Sequence, residues 1–204
     1  MEIPSKHINE AVEQLASLPS IGKKSALRLV LDLLKRSPEE IQRFSDAFTK
    51  MKSEVKYCKS CGNISDIEIC SICSNPNRDH STICVVEDIR DIIAIEATGS
   101  YLGIYHVLGG VISPMDGLGP EDLNIQTLLN KVNEQSINEI IFALSSTMEG
   151  DTTNFYLYKK LNTETIKITT LSRGVSIGSE LHYADELTLG RSITQRLLFK
   201  STFK

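Results

Sequence analysis

Four cysteines have the spacing of a metal site. Cys58 and Cys61 form one Cys-x-x-Cys pair, Cys70 and Cys73 form a second, and eight residues separate the pairs. Two residues between cysteines let both sulfurs turn toward one point, so two pairs supply the tetrahedron of thiolates that a structural Zn²⁺ takes. Two disulfides are the alternative, although no other feature suggests an oxidising compartment. The sequence therefore predicts one structural Zn²⁺ per chain, without which this short polar segment should not fold.

Basic residues follow a short apolar hairpin near the start of the chain. Lys23 and Lys24 come directly after Gly22, and Arg28 lies one helical turn further on. Free amides and the helix dipole at such a helix start favour a phosphate, and lysines placed against the dipole suggest an anionic partner. The pattern resembles the helix-hairpin-helix motif, which usually has glycine at both ends of the hairpin, whereas Ser20 stands at the first position here. We expect these five residues to contact DNA; a plain helical hairpin with solvated lysines is the alternative.

Acidic residues follow two of the predicted strands. Glu87 and Asp88 come after the first strand, and Glu149 and Asp151 come after the third. The carboxyl ends of parallel strands meet at one edge of a sheet, where carboxylates could hold Mg²⁺ or contact a partner. Solvated acids are the equally weighted alternative. No Cys/His or Ser/His arrangement suggests nucleophilic catalysis, because the four histidines fall in different elements.

Three helices are predicted to position the basic residues. Ser5 caps the first, and the second begins at about Gly22. The third has Ser37 as its N-cap, Pro38 at its first helical position and a glutamate, Glu40, placed to close a capping box. The third helix carries an apolar stripe of Ile41, Phe44, Phe48 and Met51. We interpret this stripe as core packing.

Alternating strands and helices are predicted to position the acids. The strands lie at 82–87, 102–108, 139–144 and 166–171, and the helices at 88–98, 121–134 and 151–162. Short apolar strands separated by helices indicate a mostly parallel sheet covered on both faces. Cys84, inside the first strand, is interpreted as a buried small hydrophobe. A short tail follows with apolar residues that should dock on the sheet or on another subunit: Leu187, Leu189, Ile193, Leu197, Leu198 and Phe199.

Composition limits the function classes. The 204-residue chain has a net charge of −4, which argues against a generally basic nucleic-acid coat. Residues 1–53, however, carry nine Lys or Arg against seven Asp or Glu, so a DNA contact is expected in this part. No apolar run is long enough to cross a membrane, and the N-terminus has no apolar signal core. The cysteine usage is that of a reducing cytoplasm.

The predicted sheet resembles a Toprim domain, the fold of topoisomerases and bacterial primases. Catalytic members have a glutamate after the first strand, matched by Glu87, and an Asp-x-Asp after the third. The segment from Leu144 to Asp151 has no Asp-x-Asp. The resemblance therefore implies that the fold is retained and that catalysis is lost.

The order of the parts resembles the RecR family of bacterial recombination mediators. The resemblance rests on short sequence motifs of this chain: Leu-Pro-x-Ile-Gly-x-Lys-Ser-Ala at 18–26, Ile-Cys-Val-Val-Glu at 83–87, Tyr-His-Val-Leu-x-Gly at 105–110, Ser-Pro-Met-x-Gly at 113–117, Glu-Gly-Asp at 149–151 and Arg-Gly-Val-x-x-Gly-x-x-Leu at 173–181. The resemblance implies an α/β multidomain protein, with four expected parts. These are a helix-hairpin-helix domain (1–53), a zinc finger (54–77), a Toprim domain (78–176) and an oligomerisation segment (177–204).

The resemblance also implies a function. RecR-like proteins are not enzymes; they form tetrameric rings that encircle DNA and act with RecO and RecF to help load RecA at single-stranded gaps. Sequence-independent binding to single-stranded and duplex DNA, and a cytoplasmic location at the bacterial nucleoid, are expected. The alternative is a Toprim-type metal-dependent nuclease or nucleotidyl transferase.

Overall fold

The computed structural model describes residues 4–161 and 165–196, which divide into two compact units between Val55 and Lys56. The first unit is helical, and the second contains the cysteine pairs and the parallel sheet. The boundaries expected for the four parts stay predictions. Nowhere in the described ranges does a helix have the length and apolar character needed to cross a membrane.

The helical unit contains the three expected helices. They are α1 (Lys6–Ala16), α2 (Lys23–Leu33) and α3 (Pro38–Glu54). Both predicted side-chain caps are confirmed. Ser5 accepts a hydrogen bond from the amide of Ile8 at 3.4 Å. Ser37 and Glu40 form the predicted capping box, with bonds of 3.3 and 2.9 Å between side chains and backbone amides.

The core of this unit is small and lies between α1 and α2. Its buried residues are Val12, Ala26 and Val30, with Ile8, Leu15, Ile21 and Leu27 packed around them. The interpretation of the α3 stripe as core was wrong, because α3 has no buried residue. Phe44, Phe48 and Met51 are 41%, 54% and 55% exposed. The core formed by α1 and α2 involves too few residues to cover a third helix, so helical periodicity marked an apolar face and not a buried one.

The second unit follows the predicted alternation of strands and helices. Its strands are β1 (Lys56–Tyr57), β2 (Ile64–Ser65), β3 (Asp79–Val86), β4 (Gly103–Val107), β5 (Glu139–Phe142) and β6 (Lys167–Thr170). Its helices are α4 (Ser71–Ser74), α5 (Ile89–Ala97), α6 (Ile125–Glu134), α7 (Met148–Lys160) and α8 (Glu186–Thr194). Short 3₁₀ turns lie at Pro114–Asp116, Pro120–Asp122 and Leu181–Tyr183. Helix α7 begins three residues before the predicted position, because Thr147 caps it by accepting the amide of Gly150.

The main sheet has the strand order β4-β3-β5-β6, and all its pairings are parallel. One face packs against α6 and α7, through residues such as Leu128 and Leu157. The other face packs against α5 through Ile92. The expected sheet covered on both faces is therefore confirmed. Cys84 is buried in β3, as expected, and burial raises the pKa of its thiol to about 12.

A charged network ties the start of β3 to the helix that follows it. Arg78 donates a hydrogen bond to the carboxylate of Glu96 at 2.9 Å and also reaches the carbonyls of Tyr101 and Gly103 at 3.2 and 3.3 Å. The hydroxyl of Tyr105 donates to the same carboxylate at 2.7 Å. The bond from Arg78 holds the pKa of Glu96 below its usual value of 4.5. The side chains of Arg78 and Glu96 are only 14% and 30% exposed, so the loss of Arg78 would leave a partly buried carboxylate without a counter-charge.

We therefore expect Arg78→Met to lower the free energy of unfolding by about 2 kcal/mol at neutral pH, since hydrogen bonds to a partly buried charged group are lost. Glu96 has a depressed pKa in the folded state, so the wild-type advantage is complete above the ordinary value of 4.5 and decreases as the pH falls below it. Urea unfolding at pH 7 and at about pH 3.5 measures both effects. The control is Arg90→Met, which removes an exposed arginine paired with Asp88. An equal loss of stability in the two variants would contradict the role of the buried network.

Candidate zinc centre and nucleic-acid interface

The four predicted cysteine ligands are brought together by two turns of the second unit. In the first turn, the amide of Cys58 donates to the carbonyl of Asn63 at 2.7 Å and the amide of Gly62 donates to that of Cys58 at 2.9 Å. In the second, Cys70 is the N-cap of the short helix α4 and Cys73 lies within it, so that one turn of backbone carries both residues. The four sulfurs all lie within 4.8 Å of one another. The alternative of two disulfides finds no support, because all five cysteines are free.

The surroundings of the sulfurs favour the thiolate at Cys73 but not at Cys61 or Cys70, because the hydrogen bond with Cys73 raises the pKa of Cys61 and burial raises the pKa of Cys70. Backbone amides donate to Cys58 at 3.3 Å and to Cys61 at 3.5 Å. Hydrogen bonding between Cys61 and Cys73 shifts the two pKa values in opposite directions. It lowers the pKa of Cys73 to about 5 and raises the pKa of Cys61. Four thiols this close cannot all ionise by themselves, whereas a divalent cation at their centre would permit it. The donor set and its closeness therefore fit a structural Zn²⁺ held by four sulfurs.

A backbone contact fixes this cysteine cluster to the sheet. The amide of Val107, in β4, donates to the carbonyl of Cys61 at 2.7 Å. Gly62 follows with a φ of 76°, a left-handed conformation that favours glycine. A Cβ atom at this position would lie 3.1 Å from the carbonyl oxygen of Val107. The turn can approach the strand this closely because residue 62 has no side chain.

The hairpin between α1 and α2 leaves the start of α2 open. Ser20 adopts a φ of 65°, the left-handed conformation that glycine adopts most easily, so the position requires a glycine-like backbone although it holds serine. Gly22 is the N-cap of α2 and, in the described chain, no side chain caps this helix. The first helical hydrogen bond runs from the amide of Ala26 to the carbonyl of Gly22, which leaves the preceding amides without a helical partner.

The three predicted basic residues extend from the first turns of α2 into solvent. Lys23, Lys24 and Arg28 are exposed, and across residues 4–161 and 165–196 none of them forms a salt bridge. Their charges therefore remain available to a phosphate backbone. That they contact DNA stays a prediction, as it does for Ser20 and Gly22.

The acids predicted at the edge of the sheet are not assembled into a metal site. Asp88 caps α5 through the amide of Arg90 at 2.7 Å and pairs with the same side chain, which lowers its pKa. Asp151 accepts two hydrogen bonds from Arg173, at 2.6 and 3.1 Å, which hold its pKa below its usual range. Among the residues whose positions are described, the four cysteines are the only group of three or more His, Cys, Asp or Glu side chains placed to share a metal ion. Mg²⁺ therefore has no support here.

Arg173 pairs with Asp151, and residue spacing alone did not reveal this contact. The sequence signal was its place in the Arg-Gly-Val phrase, but the two residues lie 22 positions apart. A second arginine, Arg191 in α8, lies 3.7 Å from the same carboxylate. Gly150, beside Asp151, is also required by packing, because a Cβ atom there would lie 2.0 Å from the carbonyl oxygen of Ser145.

The C-terminal segment is described as far as residue 196. Helix α8 is capped by Asp185, which accepts the amide of Thr188 at 2.8 Å. Leu187 and Ile193 are 66% and 59% exposed, and Leu189 is partly buried. Leu197, Leu198 and Phe199, which were expected to dock, lie outside the described residues.

Comparison with known protein families accounts for nearly all of the chain. The matching families are the RecR helix-hairpin-helix (residues 8–52), the RecR zinc finger domain of the four-cysteine type (55–75), the Toprim domain (81–172) and the RecR C-terminal region (174–196). Their order is that of the helical unit, the cysteine pairs, the sheet and α8.

Curated relatives match over the same length. The recombination protein RecR of Flavobacterium johnsoniae is 58% identical over 204 residues, which cover 100% of this chain and 99% of the relative. That of Bacteroides thetaiotaomicron is 56% identical over 201 residues, covering 98% of each chain. That of Porphyromonas gingivalis is 51% identical over 201 residues, covering 98% of this chain and 97% of the relative.

We expect Cys58→Ser to lose bound zinc and to lower the thermal unfolding temperature, because a hydroxyl is a poor substitute for one of four thiolates. Elemental analysis of the purified protein should give about one zinc per wild-type chain and much less in the variant. Cys84→Ala is the control, since Cys84 lies inside β3 and is not one of the four clustered cysteines. A wild-type protein without zinc, or a Cys58→Ser variant that retains it, would contradict the assignment.

Proposed function

Since the chain belongs to the RecR family of recombination proteins, we propose that it is a DNA-binding recombination mediator with no catalytic activity of its own. It acts in the bacterial cytoplasm, at the nucleoid, during DNA repair. The observation that carries this proposal is the exposed start of α2, where Lys23, Lys24 and Arg28 surround a helix N-terminus that no side chain caps in the described chain.

This arrangement suits the DNA backbone better than the bases. Amides and the positive end of the helix dipole attract a phosphate oxygen at short range, and the three basic side chains add charge around it. Ser20 and Gly22 complete the contact, since both are small and exposed. Nothing in this set is placed to read a sequence, so binding is independent of sequence and extends to single-stranded and duplex DNA.

The Toprim sheet serves as a scaffold. Phosphoryl transfer by such a fold requires a cluster of carboxylates that holds a metal ion. Here Asp88 caps a helix and Asp151 is held by arginines, so neither is free to join Glu87 and Glu149 in such a cluster. These four acids are proposed to position the backbone or to contact a partner instead of binding Mg²⁺.

The zinc site is structural in this proposal. Each chain holds one Zn²⁺ through Cys58, Cys61, Cys70 and Cys73. With all four positions taken by sulfur, the metal has no open position for a substrate or water. Its effect on DNA binding is therefore indirect and acts through the fold.

Assembly into a ring completes the proposal. Four chains form a tetrameric ring that encircles DNA, and the ring acts with RecO and RecF to promote RecA loading at single-stranded gaps. The resemblance to RecR supports this, and so do the exposed apolar side chains of α3 and α8, which are available for contacts between subunits. A ring needs few basic residues per chain, because symmetry repeats them around the DNA. This agrees with the net charge of −4.

We expect the double variant Lys24→Gln/Arg28→Gln to bind DNA at least about tenfold more weakly than wild type at low salt, because each charge supports a phosphate contact. The slope of log affinity against log salt should also become shallower. Fluorescence anisotropy with a labelled single strand and a labelled duplex of several sequences measures both effects.

The matched control is Arg43→Gln/Lys50→Gln, which removes the same charge from exposed positions of α3. Its affinity should remain close to wild type. Equal losses in the two double variants would mean that net charge alone governs binding, which would contradict a phosphate site at the start of α2.

We further expect a solution mass near four times the 22.7 kDa of one chain, measured by light scattering. The same protein should remain on closed circular DNA through a high-salt wash and leave linear DNA of equal length, because a ring can slide off free ends.

A monomer, or equal retention on both forms of DNA, would contradict the clamp. Supercoiled circles incubated with Mg²⁺ test the absence of catalysis in the same assay. Nicking by wild type that disappears in Glu87→Ala would favour the metal-dependent enzyme instead.

A further inference from the structure

Helix α6 lies against the turn that carries the first cysteine pair. Its N-cap residue, Asn124, donates its side-chain amide to the carbonyl of Val107 at 3.2 Å. The amide of the same Val107 donates to the carbonyl of Cys61 at 2.7 Å. A Cβ atom at Gly62 would lie 3.5 Å from the side-chain nitrogen of Asn124. The cysteine turn, the end of β4 and the start of α6 therefore form one packed seam.

Lys131, two turns along α6, is buried in an unusual way. The residue is only 6% exposed, and its Nζ atom is buried without a hydrogen-bond partner in the described chain. It also forms no salt bridge within the part of the chain that the structure describes. Lysine side chains usually extend their ammonium group to water, because a buried cation without a counter-charge is costly. The position therefore needs a source of negative charge nearby.

The cysteine cluster supplies that charge when it holds a metal. Four thiolates around Zn²⁺ carry a net charge of −2, and the described groups that donate to these sulfurs are neutral backbone amides, which do not offset it. Helix α6 places Lys131 on the same face as Asn124, seven positions earlier, and Asn124 packs against the turn that follows Cys61. His106, whose ring nitrogen lies 2.8 Å from the carbonyl of Asn124, directly precedes Val107 in the same seam.

We propose that Lys131 is the counter-charge of the zinc–tetrathiolate centre and that it helps to retain the metal. The inference rests on the proposed zinc site and adds a residue outside the four cysteines to it. The ammonium group acts through space, from a helix of the sheet domain, and it coordinates nothing. It lowers the free energy of the doubly negative centre and thereby slows zinc release.

A purely structural role is the competing explanation, since the methylene groups of a buried lysine also pack. The two explanations differ in their dependence on the metal. A counter-charge matters most when the centre carries its full charge, whereas packing contributes equally with and without zinc. Lys131→Met separates them, because methionine has a similar length and no charge.

Zinc release to an excess of a chromogenic chelator is the first measurement, made on protein shown beforehand to contain one zinc per chain. We expect Lys131→Met to release zinc about tenfold faster than wild type, which is the usual size of an outer-shell effect. Lys131→Arg, which keeps the charge, should stay closer to wild type than Lys131→Met does. The control Lys56→Met removes an exposed charge from β1 beside the same cluster and should leave the rate unchanged.

Thermal unfolding with zinc and with EDTA is the second measurement. We expect the stability difference between wild type and Lys131→Met to be larger with zinc than with EDTA. An unchanged release rate, an equal difference in both conditions, or a variant that fails to fold in both would assign Lys131 to packing and overturn the proposal. A wild-type protein that contains no zinc would instead refute the zinc site itself.

Discussion

The exposed edge of a parallel sheet imposes the constraint on which the second unit depends. Strand β4 is one of the two edge strands, yet all five of its residues are buried. A buried amide without a partner is costly, so the free side of β4 must be covered by other backbone. The cysteine segment provides this cover, because the carbonyl of Cys61 accepts the amide of Val107. A metal that closes the two cysteine turns would therefore stabilise the sheet as well as its own loop.

The acids that could have formed a second metal site already have other partners. The carboxylates after β3 and near the start of α7 are occupied by caps and arginines, as Asp88 and Asp151 show. Sulfur and not oxygen is therefore the donor that the described residues offer to a cation. Among the described residues, the Toprim sheet therefore lacks the carboxylate cluster that metal-dependent phosphoryl transfer requires.

The helical unit shows the opposite balance, because it buries little and exposes much. Its core is limited to the contact between α1 and α2, and the apolar face of α3 remains largely accessible. The hairpin keeps a left-handed backbone at Ser20, a conformation that costs a serine more than a glycine. A small unit that keeps a strained turn and an exposed apolar surface has both available for contacts outside itself.

Local rules determined much of this protein from its sequence. Caps at Ser5 and Ser37, the alternation of strands and helices, and the cysteine spacing depend on neighbouring residues, so they could be predicted before any packing was known. The resemblance to the RecR family depended on short sequence motifs and their order in the chain. The predicted contacts with DNA and the ring are inferences of this kind.

Only the tertiary structure decided which faces are buried and which charges meet. Helical periodicity identifies the apolar face of α3, but it does not show whether other elements are present to bury that face. The pairing of Asp151 with Arg173 joins residues 22 positions apart, and the burial of Lys131 without a partner in the described chain depends on a helix packing near a distant cysteine turn. Such features arise from contacts between elements far apart in the chain, and no local pattern encodes them.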